Sequence, residues 1–337
     1  MTNKEHFLDI MNRKSSRCGF WHGSPHGDST DALYRYFGVK DDFELGLKLG
    51  SIFTWASPDW SMWKHPSQIM FNYYTGAKIE SLSQDGVFAY CEDIGEVDAF
   101  LWPSVEYCDF TETIAEIDRI IKSGQAVVSG AWSCFFHNVA DFFGMENYFV
   151  KMHTNPEIVL AVTERVVDFY LEVNEKFYAQ AKGKIDAFFF GNDFGSQLDL
   201  LVSPECFDRF IMPYFIKFTK QAHRHGLKVM LHSCGSIGRV IERLIDMGVD
   251  ALHPIQALAA GMDAETLSEK YNDKIVFIGG VDTQQLLPFG TPQQVKDEVR
   301  RLKRLFGTNF IVSPSHEAIL PNVPPENIAA MAEAALE

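Results

Sequence analysis

The segment His232-Ser-Cys234-Gly places an imidazole and a thiol two residues apart at the end of a predicted strand. Residues i and i+2 of a strand face the same way, so both side chains would point to one side of the sheet. Nitrogen and thiolate ligands suit zinc, and a catalytic zinc normally has three protein ligands and one open position. His316 is the predicted third ligand, with Glu317 as its rival. A partly buried histidine beside a structural cysteine is the alternative interpretation.

Asp193 lies three residues after a run of three phenylalanines, Phe188 to Phe190, with a glycine and an asparagine between them. A carboxylate beside an apolar wall predicts a raised pKa and an acid–base or substrate-contact role. These three phenylalanines, together with Phe194, would supply a dry wall for the chemistry. The alternative is a turn or helix-capping aspartate. Glu317 is the second candidate catalytic carboxylate.

Further residues follow predicted strands, where the active sites of α/β barrels form. Asp282 also follows two glycines, which permit the close approach of a ligand to the backbone. Strand ends are polar in any barrel, but the clustering of such residues at this end exceeds what that explanation needs. A simple turn explains the two glycines before Asp282 nearly as well. The candidates for substrate binding are Trp21, His22, Asn192, Gln197, Gln256 and Asp282.

The elements that position these residues alternate between short apolar runs and amphipathic stretches of helical period. Apolar strands alternating with helices predict a parallel sheet covered by helices, and eight such strands predict a (β/α)₈ TIM barrel. A doubly wound open sheet is the alternative, but no GxGxxG fingerprint follows any strand. The predicted strands lie at 17–23, 50–55, 125–132, 184–193, 227–235, 249–256, 274–282 and 309–317.

One stretch, residues 60–112, fits this alternation poorly and is predicted to be inserted after the second strand. Residues 65–76 and 85–103 resemble the strands of a hairpin. Aromatic residues here and just before could line a pocket or form a small core of the insertion, and we favour the core. The whole chain, 1–337, is predicted to be one barrel domain. These aromatic residues are Trp55, Trp60, Trp63, Phe71, Tyr73 and Tyr74.

The composition limits the class of protein. The chain has 337 residues, 46% of them hydrophobic, which is enough for a large core. Its net charge of -15 argues against nucleic-acid binding. No signal peptide and no membrane-spanning apolar run is visible, and the six cysteines are scattered. We therefore expect free thiols and a cytoplasmic protein.

The segments 191–237 and 310–331 resemble the uroporphyrinogen decarboxylase superfamily, and the resemblance extends over roughly residues 125–335. It implies the (β/α)₈ barrel and one of two activities. One is decarboxylation of uroporphyrinogen. The other is zinc-dependent methyl transfer between a corrinoid and a thiol or related acceptor. The methyltransferase branch carries His-x-Cys after strand five, as His232 and Cys234 do here.

The chain lacks or displaces residues that are typical of each of the two branches. The decarboxylases bind substrate carboxylates with an arginine-rich loop after strand one, where this chain has only Arg17. Their catalytic aspartate follows strand two, where Asp59 is displaced. A polycarboxylate needs fixed cations, so the resemblance favours methyl transfer. The methyltransferase branch has a distant cysteine after strand eight, and His316 stands near that place.

The sequence thus predicts a methyltransferase of one-carbon metabolism that moves a methyl group between a corrinoid and a small-molecule donor or a thiol-type acceptor, assisted by zinc. No D-x-H-x-x-G corrinoid signature is present, so cobalamin would come with a separate corrinoid protein. The decarboxylase relatives suggest a homodimer. Two alternatives remain: a metal-independent decarboxylase with a different substrate, and a non-enzymatic barrel that binds a corrinoid or porphyrin.

Overall fold

Eight parallel strands form the framework of the computed structural model, which describes residues 1–74 and 84–337. We number these strands β1 to β8. Each lies within one of the eight predicted segments, which confirms the predicted fold class. The strands are Gly19–Phe20 (β1), Phe53–Trp55 (β2), Ala126–Ser129 (β3), Ala187–Gly191 (β4), Lys228–His232 (β5), Ala251–Ile255 (β6), Val276–Val281 (β7) and Phe310–Pro314 (β8).

The strands pair in chain order, and β8 returns to pair with β1, as in a TIM barrel. A hydrogen bond from the Ile52 N–H to the Phe20 carbonyl, 3.0 Å long, joins the two remaining edges. This closure excludes the doubly wound open sheet. A small separate pair of strands, Ser24–Pro25 and Ala318–Ile319, lies beyond the ends of β1 and β8.

Helices alternate with the strands and cover the outside of the barrel. The Thr2 and Thr291 hydroxyls cap their helices in capping boxes, and Gly50, at a φ of 85°, ends the helix before β2. The α-helices are Asn3–Met11, Gly27–Phe37, Asp42–Leu49, Ile94–Ala99, Thr111–Ser123, Phe135–Phe143, Met145–Thr154, Pro156–Ala181, Pro204–Cys206, Met212–Arg224, Ile241–Asp246, Ala264–Tyr271, Leu286–Phe289, Pro292–Phe306 and Pro325–Leu336. A π-helical turn, Phe207–Ile211, and two 3₁₀ turns, Trp60–Met62 and Val105–Tyr107, complete the set.

The alternation of side chains along β4 shows how the core is divided. Phe189 points into the barrel, where it contacts Trp21, whereas Phe188 and Phe190 point outward. Phe190 packs against Phe215 of the covering helix. Only the middle phenylalanine of the run therefore faces the interior, so the predicted dry wall around Asp193 is wrong for two of the three residues.

The described part of the inserted region differs from the predicted hairpin. Residues 84–112 contain turns, the helix Ile94–Ala99 and a 3₁₀ turn, and the bridge between Trp63 and Cys108 is isolated. The expected strand at 85–103 is therefore absent, because its aromatic residues, such as Phe88, pack in the outer core against Phe142. The other expected strand, 65–76, forms no strand up to residue 74 and ends outside the described residues.

All six cysteines are free thiols. Among the described residues, none of the helices has both the length and the apolar character that crossing a membrane requires.

Candidate metal and substrate site

The ends of β5 and β8 bring three candidate zinc ligands together. His232 is the last residue of β5, Cys234 follows two residues later, and His316 lies two residues beyond β8. One ligand atom from each of the three lies within 4.8 Å of the others. The Cys234 Sγ is 3.3 Å from the His232 Nε2. These are one sulfur and two nitrogen donors, the kind of set that holds zinc.

Neighbouring groups fix the orientation of both imidazoles. The Ala318 N–H donates to the Nδ1 of His316 over 3.1 Å, so the neutral ring carries its proton on Nε2. The Nδ1 of His232 lies 3.1 Å from the Nδ1 of His253 and 3.3 Å from the Glu317 Oε2. A carboxylate behind a ligating histidine orients the ring and raises its basicity.

The charges of this cluster favour the metal-binding form of the thiol. Burial opposes ionisation of Cys234, but hydrogen bonds with His232 and His316 lower the pKa of the thiol below its ordinary value. Thiolate is the form that binds zinc. His253 behaves differently, since burial and the two neighbouring histidines hold its pKa well below the usual range. His253, His232 and Glu317 form a second, rival group of possible ligands.

Asp193 anchors the loop that carries Cys234. Its Oδ1 accepts the Cys234 N–H over 2.7 Å and lies 3.3 Å from the His232 Nε2. Burial acts to raise the pKa of Asp193, but His232 and the Cys234 N–H outweigh it and hold that pKa well below the ordinary value. The predicted raised pKa is therefore wrong, because the sequence does not reveal a cationic partner on the next strand.

The structure gives the predicted substrate-binding side chains partners within the protein. Asn192 accepts the Phe136 N–H over 3.0 Å, and Gln256 accepts the Gly235 N–H over 2.6 Å. The carboxylate of Asp282 accepts three backbone N–H groups at the start of the helix Leu286–Phe289. Asn192 and Gln256 thus hold the loops that surround the cluster. Their contact with substrate stays a prediction.

The other three predicted substrate-binding residues are His22, Trp21 and Gln197. His22 is buried and uses both ring nitrogens, on Asp42 at 3.0 Å and on Ser51 at 2.9 Å. Trp21 is buried inside the barrel, with its ring centroid 5.2 Å from that of His253. Gln197 is exposed in the loop after β4.

A cavity of about 560 Å³ opens beside the cluster, and sequence reasoning missed most of its lining. Glu317 lines it from the metal side. Two indoles, Trp55 from β2 and Trp132 from the loop after β3, form an aromatic wall with ring centroids 5.0 Å apart. Trp132 in turn lies 5.4 Å from the His232 ring. The signal for Trp132 was its position as the last residue of the predicted strand 125–132.

The aromatic residues of the second strand and the insertion divide between two roles. Trp55 faces this cavity, whereas Trp63 and Phe71 pack against Phe169 in the outer core. Tyr73 packs against Phe142. Trp63, Phe71 and Tyr73 therefore form part of a core, as we favoured, whereas Trp55 lines the cavity.

A closed (β/α)₈ barrel with a sulfur–nitrogen donor cluster at the carboxyl ends of its strands defines a class of barrel enzymes with a candidate metal site. The chain belongs to the uroporphyrinogen decarboxylase (URO-D) family, whose family model matches residues 103–337. A solved structure, a methyltransferase from Methanosarcina mazei, is similar in fold, with a TM-score of 0.69 and 15% identity over 99% of this chain and 98% of that chain. No curated protein matches the chain.

Proposed function

We propose that this protein is a zinc-dependent methyltransferase that moves a methyl group between a small molecule and a corrinoid carried by a separate protein. The observation that carries the proposal is the cluster of His232, Cys234 and His316, whose ligand atoms lie within 4.8 Å of one another. The family membership and the methyltransferase of similar fold support the same activity.

The donor set fits zinc better than it fits a hard cation. One sulfur and two imidazole nitrogens suit a borderline-soft ion, whereas magnesium and calcium prefer oxygen. Bound zinc would supply Lewis acidity, either to make a thiolate from a thiol acceptor or to stabilise the heteroatom that loses its methyl group. His232, Cys234 and His316 would hold it, and Glu317 would orient His232. Asp193 would keep the Cys234 loop in place.

The rim of the barrel mouth supports a macromolecular partner. Four large apolar side chains are exposed in the segments that follow β4, β6, β7 and β8, at the end of the barrel that carries the cluster. Exposed apolar groups around a site are typical of a docking surface. We propose that the corrinoid protein docks here. The four residues are Leu198, Leu258, Phe289 and Leu320, with exposures of 82%, 54%, 72% and 47%.

The activity can be tested with free cobalamins in place of the partner. The zinc-loaded protein is mixed with methylcobalamin and a simple thiol, and with cob(I)alamin and a panel of methyl ethers, methylamines and methylthioethers. Absorbance reports the methylation state of the cobalt in both directions. We expect transfer that stops when the zinc is removed and returns when it is restored. Equal turnover by metal-free protein would reject the proposal.

Replacing Glu317 with glutamine is expected to weaken zinc binding by roughly 10–100-fold, the usual cost of losing a group that orients a metal ligand. The substitution removes the charge that lies 3.3 Å from the His232 Nδ1. A chelator competition measures the affinity directly. Glu116→Gln serves as the control, since Glu116 lines the same cavity and is not among the candidate ligands. Equal zinc affinity in both variants would contradict the role of Glu317.

Alkylation of the metal-free protein by iodoacetamide is expected to modify Cys234 at lower pH than an ordinary thiol. The thiolate is the nucleophile, and because the pKa of Cys234 is lowered, its thiolate persists as the pH falls. Burial raises the pKa of Cys134 to about 12 and that of Cys108 to about 11, so both should stay unreactive. Peptide mass spectrometry across a pH series measures each site. Zinc should protect Cys234, and unchanged labelling with zinc present would argue against a metal at this thiol.

A further inference from the structure

The cavity beside the metal cluster combines aromatic faces with acidic side chains. Trp55 and Trp132 form one wall, and Met62 and Met70, both buried, add soft apolar surface. Three carboxylates, Asp59, Glu116 and Glu317, also line it. Among the described residues that line this cavity, none is lysine, arginine or histidine. Its lining therefore carries negative charge with no cation of its own.

Two of these carboxylates have their cationic neighbours outside the cavity lining. Glu317 is one-fifth exposed, and its Oε2 lies 3.3 Å from the His232 Nδ1 and 3.5 Å from the His316 Nδ1 but makes no hydrogen bond to any described residue. Glu116, on the helix Thr111–Ser123, has its pKa raised by burial, against the opposing charge of Arg119. Arg119 itself is paired with Asp41 at 2.8 Å. A cation in the cavity would relieve both carboxylates.

The indoles offer the matching non-polar contacts. The two rings lie 5.0 Å apart with a 45° angle between their planes, so they form a corner rather than a flat stack. The face of an indole carries negative quadrupole charge and attracts cations within about 6 Å of its centroid, quaternary ammonium groups included. A methylated ammonium ion has low hydration and apolar methyl groups, so it can enter such a cavity more readily than a bare ammonium.

The cavity also brings its ligand to the metal cluster. Glu317 contacts both the cavity and His232, and Trp132 lies between Trp55 and the His232 ring. A ligand against the indole corner would therefore present a methyl-bearing nitrogen on the side where the proposed zinc lies.

We propose that this cavity binds a quaternary ammonium ion, held by the indoles of Trp55 and Trp132 and by the carboxylates of Glu116 and Glu317. Its use as methyl donor rests on the proposed function, whereas its binding does not. The absence of basic side chains from the described lining disfavours a polycarboxylate in the same place.

The test compares choline with 3,3-dimethyl-1-butanol, which has the same shape and no charge. Both are titrated into the zinc-loaded protein by calorimetry and by tryptophan fluorescence, since two indoles line the cavity. We expect the neutral alcohol to bind at least about tenfold more weakly, because it lacks the attraction of the aromatic faces and the carboxylates. Choline that fails to bind, or an alcohol that binds equally well, would overturn the proposal.

Two glutamine variants locate the site. Glu116→Gln is expected to weaken choline binding several-fold, while Glu112→Gln, on the same helix but outside the cavity lining, should leave it unchanged. Equal effects of the two variants would also overturn the proposal. Choline binding without methyl transfer by any donor or acceptor of the panel, choline included, would reject only the proposed function. Methyl transfer from another donor without choline binding would reject only this inference.

Discussion

Replacing Cys234 with serine is expected to abolish stoichiometric zinc binding and, with it, methyl transfer. The variant keeps the shape of the side chain but loses the one sulfur of the cluster, whose Sγ lies 3.3 Å from the His232 Nε2. Loss of a direct ligand should cost more than the roughly 10–100-fold in affinity that loss of a supporting group costs. Metal analysis after dialysis, followed by chelator competition, measures the effect.

The matched control is Cys206→Ser. Cys206 also lies beside a histidine, with 3.8 Å between its Sγ and the Nε2 of His153, but no third candidate ligand accompanies this pair among the described residues. This variant should retain zinc and activity. A Cys234→Ser protein with one tightly bound zinc per chain would show that the metal is held elsewhere.

The largest loss of folding stability is expected from Phe189→Ala. The side chain is fully buried inside the barrel and contacts Trp21, Trp55 and Trp132. Truncation of a buried phenylalanine leaves a cavity that the rigid indoles cannot fill, and such changes cost about 3–5 kcal/mol of unfolding free energy. Urea denaturation followed by circular dichroism measures the difference.

Phe289→Ala provides the comparison, because Phe289 is 72% exposed at the end of the helix Leu286–Phe289. Its unfolding free energy should stay within about 0.5 kcal/mol of the unaltered protein. A Phe189→Ala protein as stable as Phe289→Ala would mean that the barrel interior is not packed as described.

The sequence allowed prediction of the strands because a buried parallel strand is a continuous apolar run with polar residues at its end. The run before Asp193 and the His-x-Cys pair at the end of β5 illustrate this. At residues 85–103 an apolar run led to the wrong prediction of a strand. Phe88 there is buried because it packs against Phe142, and the segment does not pair in a sheet. A local apolar pattern therefore predicts that a segment is buried, but it does not show which part of the protein the segment packs against.

The candidate site was predicted in its ligands and not in its surroundings. His232 ends β5, Cys234 lies two residues beyond it, and His316 lies two residues beyond β8, so the barrel geometry itself brings them together. The hydrogen bonds of His22 to Asp42 and Ser51 depend on side chains 20 and 29 positions away, which no strand pattern reveals. The lowered pKa of Asp193 likewise depends on His232, which lies on the neighbouring strand.

The candidate metal ligands and the aromatic wall of the cavity come from different strands of the barrel. The candidate metal ligands and Asp193 come from β4, β5 and β8, whereas the indole corner comes from β2 and β3. The family model begins at residue 103, so Trp55 and Met70 lie outside the stretch that matches it. Substitutions at Trp55 or Met70 therefore change the lining of the cavity without altering the candidate metal ligands or the part of the chain that matches the family model.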